Sequence, residues 1–275
     1  MNISLKYNPE DKSFFGQLKA SFVPFGKSDK MFFIGLCTLQ FGAILYMWYT
    51  LGNVYVPKPI PVIKQLFTYI TSVDFWNCFV TTFLLTIKAM VYSIIFSCVF
   101  AFIWTLSSFK STVGIVTKFR FLSMSGLVFT AIMVLKDGAQ VKLFLLMLGV
   151  IPYFLASLIS SITKIDKQEF KLCETLGMSK WQTFYELVAY GRMEVVLDTI
   201  RMNFAMVWLM ITNIEIISMT GTGIGIRLHD LDRQNYVTQI FAIQIFIGLF
   251  GTLFDFSTFK LRHKIFKHTK LTEQN

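Results

Sequence analysis

Arg201, Trp208 and Glu215 recur at intervals of seven residues. Seven residues is close to two α-helical turns, so the three side chains share one helix face. The intermediate positions extend this to a stripe of Asp198, Arg201, Ala205, Trp208, Thr212, Glu215 and Met219, inside an otherwise apolar run. Charges at membrane depth are costly and normally face a protein interior or a water-filled cavity. Two readings follow. The face lines a solute path, with Arg201, Trp208, Thr212 and Glu215 as its contacts, or it is a structural ion-pair seam between helices. The expectation adopted is the path, at an interface with a second chain. Lys88 is a second charge inside an apolar run and is expected to be buried.

Other chemistry is poorly supported. The glycines of "GTGIG" (Gly221, Gly223 and Gly225) lack the G-x-G-x-x-G spacing of a dinucleotide loop and follow a membrane helix. They fit a tight outer turn that a delivery protein could touch. No G-x-x-x-x-G-K-[ST] pattern occurs, so hydrolysis of ATP by a P-loop is not expected of this chain. His263 and His268 are spaced poorly for one helix face, and His229 is isolated. Cys37, Cys78, Cys98 and Cys173 have no CxxC spacing and are read as small core residues, with no disulfide or metal site. No catalytic residues are assigned.

The elements that must carry the stripe are membrane spans. Hydrophobic residues make up 54% of the 275 and charged residues 15%, against about 25% charge in a typical soluble domain. A span needs about 20 apolar residues. Six stretches are read as spans, at about 31–51, 77–106, 121–135, 141–162, 195–219 and 237–259, the third short and interrupted by Ser123, Ser125 and Gly126. The net charge of +10 does not imply nucleic acid, because the basic residues lie between the spans. They cluster in the N-terminal segment, the loop at 110–120, the centre at 164–192 and the tail. By the positive-inside rule both termini and the central island are cytoplasmic. The expected fold is an all-α integral membrane protein. Residues 1–30 form a cytoplasmic segment along the inner membrane surface, 31–260 a transmembrane domain with a loop at 164–192, and 261–275 a basic tail. "VPKPIPVIKQLFTYI" is read as a Pro-rich turn and a surface helix outside.

The island has helical punctuation. Asp166 can cap a helix with Glu169 as reciprocal partner, and Gly177 can end it. Ser179 can cap a second helix, "KWQTFYELVAY". Lys171, Glu174, Lys180 and Trp181 fall on exposed faces. A short helix of this kind can insert into a partner's groove; a plain cytoplasmic loop is the alternative.

The island resembles the coupling loop of ABC importer permeases, E-A-A-x3-G-x9-I-x-L-P. Gly177 stands at the Gly, Lys171, Leu172 and Cys173 at E-A-A, and Leu187 to Tyr190 at I-x-L-P, without the proline. "ETLGMSKWQTFYELV" and "DTIRMNFAMVWLMITNIEIISMTGTGIGIRL" are similar to the nitrate/sulfonate/taurine branch, and the similarity covers about 54–265. The third span carries Ser123, Met124 and Phe129 where family members usually have prolines. The resemblance implies a six-helix inner-membrane permease that moves a small anion or nutrient. It also implies a second permease copy (a homodimer is expected), ATP-Mg on separate ATP-binding subunits and an extracytoplasmic substrate-binding protein. Coupling would fall to Glu174, Gly177, Trp181 and Lys171. A stand-alone secondary transporter or channel is the alternative, and a divergent permease acting as a regulatory partner is a third.

Overall fold

The computed structural model describes residues 30–53, 56–191 and 193–265, and all their regular structure is helical. They fall into two units, 1–63 and 64–275. In the first, α1 (Lys30–Leu51) is apolar and long enough to cross a membrane. The Trp48 indole donates to the Pro57 carbonyl at 3.0 Å, and the Lys58 ammonium lies over the Tyr49 ring at 5.7 Å. α2 (Pro59–Thr71) starts in the first unit and ends in the second, with proline at its first position, where the missing N–H costs nothing. The expected interfacial segment lies outside the described residues, as do residues 266–275 of the tail.

The second unit is a bundle. α3 (Val73–Thr105) is followed by α4 (Lys110–Lys118), α5 (Met124–Leu135) and α6 (Gly138–Thr163). Next come α7 (Lys167–Thr175), α8 (Lys180–Phe184) and a π-helical turn at Tyr185–Tyr190. α9 (Met193–Ser218), α10 (Ile224–Arg233) and α11 (Val237–Ile265) complete it. Among the described residues five helices are long and apolar enough to span a membrane. A bent pair would make a sixth if it crosses as one broken span rather than as a re-entrant loop. That pair corrects the expected third span. Residues 110–121 and 126–135 meet at 108°, because Leu122 and Ser123 are extended. The 12 residues of α5 reach only about 18 Å, short of the bilayer core.

Lipid tails are as apolar as leucine, so helices in a membrane associate through close packing and polar contacts rather than through the hydrophobic effect. α3 follows that logic. Its buried face carries small residues at Thr82, Thr86, Ala89, Ser93, Ser97 and Ala101, which let α6 approach. The Ser97 hydroxyl donates across to the Ile151 carbonyl at 3.2 Å, beside Pro152. α6 in turn packs on α5 and α9. The half of the bundle toward the start of α3 is held by aromatics. Trp208 of α9 lies 6.0 Å from Phe79 of α3 and 5.3 Å from Phe250 of α11, and Phe204 stacks on Phe254. Such pairs contribute about 0.5–1.5 kcal/mol each beyond area.

Two expectations about single residues are corrected. Cys37 and Cys98 are exposed rather than core, whereas Cys173 is buried. Lys88 is exposed rather than buried. The inward positions of α3 are filled by small and aromatic residues, so the side chain points to the opposite face. A lysine facing lipid at a span's centre would cost about 2.5–3.5 kcal/mol.

Candidate functional site

The structure places the singled-out residues in two groups, at opposite ends of α3. At the first end, the start of α3, the start of α6 and the close of α9 come together. Glu215, one turn before the end of α9, is fully buried. Its Oε1 accepts from the Thr82 hydroxyl at 2.8 Å, and its Oε2 accepts from the Gly225 N–H at 2.8 Å. The Thr82 oxygen also accepts from the Ile224 N–H at 2.9 Å. The first N–H groups of α10 have no partner within their own helix. Glu215 and Thr82 supply those partners from two other helices, and the carboxylate meets the positive end of the α10 dipole. Lys142 of α6, 4% exposed, interacts electrostatically with Glu215 and reaches the Thr222 carbonyl at 3.5 Å.

This latch explains the glycines. Gly221 has φ +69, which only glycine adopts freely, and Met219 before it is also left-handed at φ 47. Gly223 is extended, and its requirement is room, since a Cβ there would strike the Glu215 carboxylate. Gly225 belongs to the first turn of α10, where a Cβ would meet the Thr212 carbonyl and Glu215. The sequence pointed to the glycine turn and to Glu215 but not to α10, Thr82 or Lys142 as partners. Lys142 lies within the first part of α6. A charge placed just after the Asp137 helix cap was the available signal.

The rest of the stripe divides. Trp208 is 3% exposed within the aromatic cluster. Arg201 and Thr212 are half-buried. The Arg201 Nε lies 3.0 Å from the Asp255 carboxylate of α11, an ion pair by distance although the N–H does not point at the oxygen. Thr212 donates to its own helix at Leu209.

At the other end lies the island. Asp166 caps α7 by accepting from the Gln168 N–H at 3.2 Å. The helix ends in a Schellman arrangement, with Gly177 at φ +72 and the Met178 N–H donating to the Cys173 carbonyl at 3.0 Å. A Cβ at Gly177 would meet nothing, so the need there is conformational only. Ser179 and Gln182 form a reciprocal capping box on α8. The expected second helix is α-helical only to Phe184, after which the chain widens to a π turn closed by the Gly191 N–H on the Glu186 carbonyl. Lys171, Glu174 and Trp181 are exposed, Trp181 at 65%, beside exposed Leu172, Leu176 and Tyr185. The hairpin is tied to the spans. Trp181 stacks on Phe102 near the end of α3 at 6.0 Å, and Phe184 meets the same ring edge-on at 5.2 Å. From Phe102 to Thr82 is about 30 Å along α3.

No protein-family model matches the chain. It is 23% identical over 125 residues to the bicarbonate transport system permease protein CmpB of Synechocystis sp., and 25% identical to that of Synechococcus elongatus. Each match covers 46% of this chain and 45% of the relative, so the chain matches less than half the relatives' length. In fold it is similar to a chain from the crystal structure of an amino acid ABC transporter with histidines. That likeness has a TM-score of 0.55 at 14% identity, over 69% of this chain and 91% of the other. The chain is thus similar in part of its sequence to permease proteins of bicarbonate transport systems, and in fold to a chain of an ABC transporter.

Proposed function

We propose that the chain is a membrane subunit of an importer for a small anion, driven by ATP-Mg hydrolysed on a separate ATP-binding subunit. The observation that carries this reading is the capped hairpin α7–α8. It presents Leu172, Leu176, Trp181 and Tyr185 to solvent, yet is fixed to a spanning helix through Phe102. An amphipathic helix with an exposed aromatic suits a groove on a partner. Closure of the ATP-binding subunits would push Glu174, Gly177, Trp181 and Lys171. α3 would carry the displacement to Thr82, and so to the latch on the outer turn. Bicarbonate, named for the matched relatives, is a small oxyanion of the size and charge that this reading assigns to the cargo.

In this reading the path runs along the edge of the α9 stripe. Arg201 and Thr212 stand at its margin, with Trp208 and Glu215 behind them as the wall. A second permease copy closes the path, and an extracytoplasmic binding protein delivers cargo at Gly221–Gly225. The hairpin and both termini are cytoplasmic, in the cell's inner membrane.

Orientation has a direct check. Cys173 is buried and therefore a poor reporter, but Lys180 is exposed. Lys180→Cys in a background without the four native cysteines should react with an impermeant thiol reagent only in inside-out vesicles. Reaction in intact cells would place the hairpin outside and end the coupling account.

A further inference from the structure

Apart from the basic end of α11, the spanning helices described in the second unit carry three cations, Lys88, Lys142 and Arg201. Two are answered within the chain. Lys142 is buried beside Glu215 and Thr222, and Arg201 stands against Asp255. Lys88 is exposed, and no acidic side chain among the described residues pairs with it. It lies about 22 Å along α3 from the first residue, near the middle of the 33-residue helix. From there a lysine stem cannot carry its ammonium across about 15 Å of hydrocarbon to either headgroup layer.

The face around Lys88 is not uniformly apolar in the half toward the start of α3. Asn77, Thr81, Lys88 and Tyr92 follow at spacings of about one or two turns and are all exposed, with exposed Leu84 between Thr81 and Lys88 on the same face. Beyond Tyr92 the same face turns apolar at Ile95 and Val99, also exposed. The opposite face of α3 is the small-residue seam on α6. Polar groups therefore recur from the start of α3 to its midpoint, interrupted at Leu84, and a cation stands near the inner end of that stretch. Asp74, on the same face at the rim, is about 21 Å from Lys88 along the axis and leaves that charge unopposed.

We propose that this half-stripe of α3 lines a water-filled mouth and that Lys88 binds a small oxyanion at its floor. The inference rests on the importer reading for its orientation and for the second permease copy that keeps lipid off this face. It differs from that reading in placing the charge-selecting contact on α3 rather than on the α9 stripe.

The test uses the full chain in its membrane complex, with the four native cysteines replaced. Tyr92→Cys is reacted from outside with a sulfonate-bearing and a trimethylammonium-bearing thiol reagent, and Ile95→Cys serves as the control. The expected result is labelling at Tyr92→Cys and none at Ile95→Cys. The sulfonate-to-ammonium rate ratio should fall about tenfold when Lys88→Gln is added, the effect of removing one charge one helical turn away in water. In parallel, Lys88→Gln should cut uptake of radiolabelled bicarbonate or nitrate at least about tenfold, while Lys88→Arg retains it. An inert Tyr92→Cys, or a ratio indifferent to Lys88→Gln, overturns the proposal, and so does undiminished uptake in the variant. If the unmodified complex lacks an ATP-binding subunit, the importer reading fails instead. The labelling ratio still decides the stripe in that case, and decides it alone if neither anion is carried.

Discussion

Glu215→Ala should destabilise the bundle by about 3–5 kcal/mol, the usual loss when one member of a buried charged cluster is removed. The carboxylate accepts from Thr82 and from the Gly225 N–H and faces Lys142. Without it, a backbone donor at the start of α10 and a buried ammonium both lose their partner, leaving Lys142 only the long contact to Thr222. Glu215→Gln keeps one acceptor but turns an N–H2 toward a donor, and should lose less, about 1–3 kcal/mol. Gly223→Ala should resemble the glutamine variant, because its Cβ displaces the carboxylate. Thermal unfolding of the detergent-solubilised protein ranks the three. A Glu215→Ala protein as stable as the parent would mean that the latch does not hold the glycine turn.

Gly177→Pro is expected to leave membrane insertion intact and to lower ATP-driven uptake by on the order of 100-fold, matching a local cost of about 3 kcal/mol or more. Proline fixes φ near −65°, whereas Gly177 sits at +72°. It also removes the N–H that donates to the Glu174 carbonyl at 3.0 Å. The Schellman turn then cannot form, and α7 and α8 lose their relative orientation. Gly177→Ala should be milder, at about 1–2 kcal/mol, because its Cβ meets no atom and only the left-handed conformation is strained. The graded series of Pro, Ala and Gly, read as uptake per assembled complex, separates a shape requirement from a mere surface residue. Equal uptake in all three would show that the hairpin's geometry does not matter to transport.

Local chemistry was well written in the sequence. Ser179, Asp166 and Gly177 act as caps and stop because capping needs only neighbours a few residues away. The long spans were equally plain, since length and apolarity suffice. What the sequence did not reveal depends on partners far along the chain. The periodicity put Arg201, Trp208 and Glu215 on one face but could not say what that face meets. Glu215 meets Thr82, 133 residues away, and Arg201 meets Asp255. Lys88 was misplaced for a related reason. A single charge in an apolar run gives no phase, whereas the small residues from Thr82 to Ala101 already marked the opposite side as the seam. The break at Leu122–Ser123 carries no proline to mark it, and the helix Ile224–Arg233, although Ile224, Leu228 and Leu231 repeat at helical spacing, is too short and too charged to stand out as a span.

The central claim is that the hairpin from Asp166 to Tyr190 is worked by a nucleotide-burning subunit that is a separate protein. The most direct measurement is purification of the tagged chain from its native membrane, followed by reconstitution and uptake of radiolabelled bicarbonate and nitrate with and without ATP. The account predicts a co-purifying ATP-binding subunit, uptake that stops without ATP, and loss of both coupling and uptake in Gly177→Pro. Full-rate uptake by the purified chain alone, with no nucleotide and no companion, would contradict it.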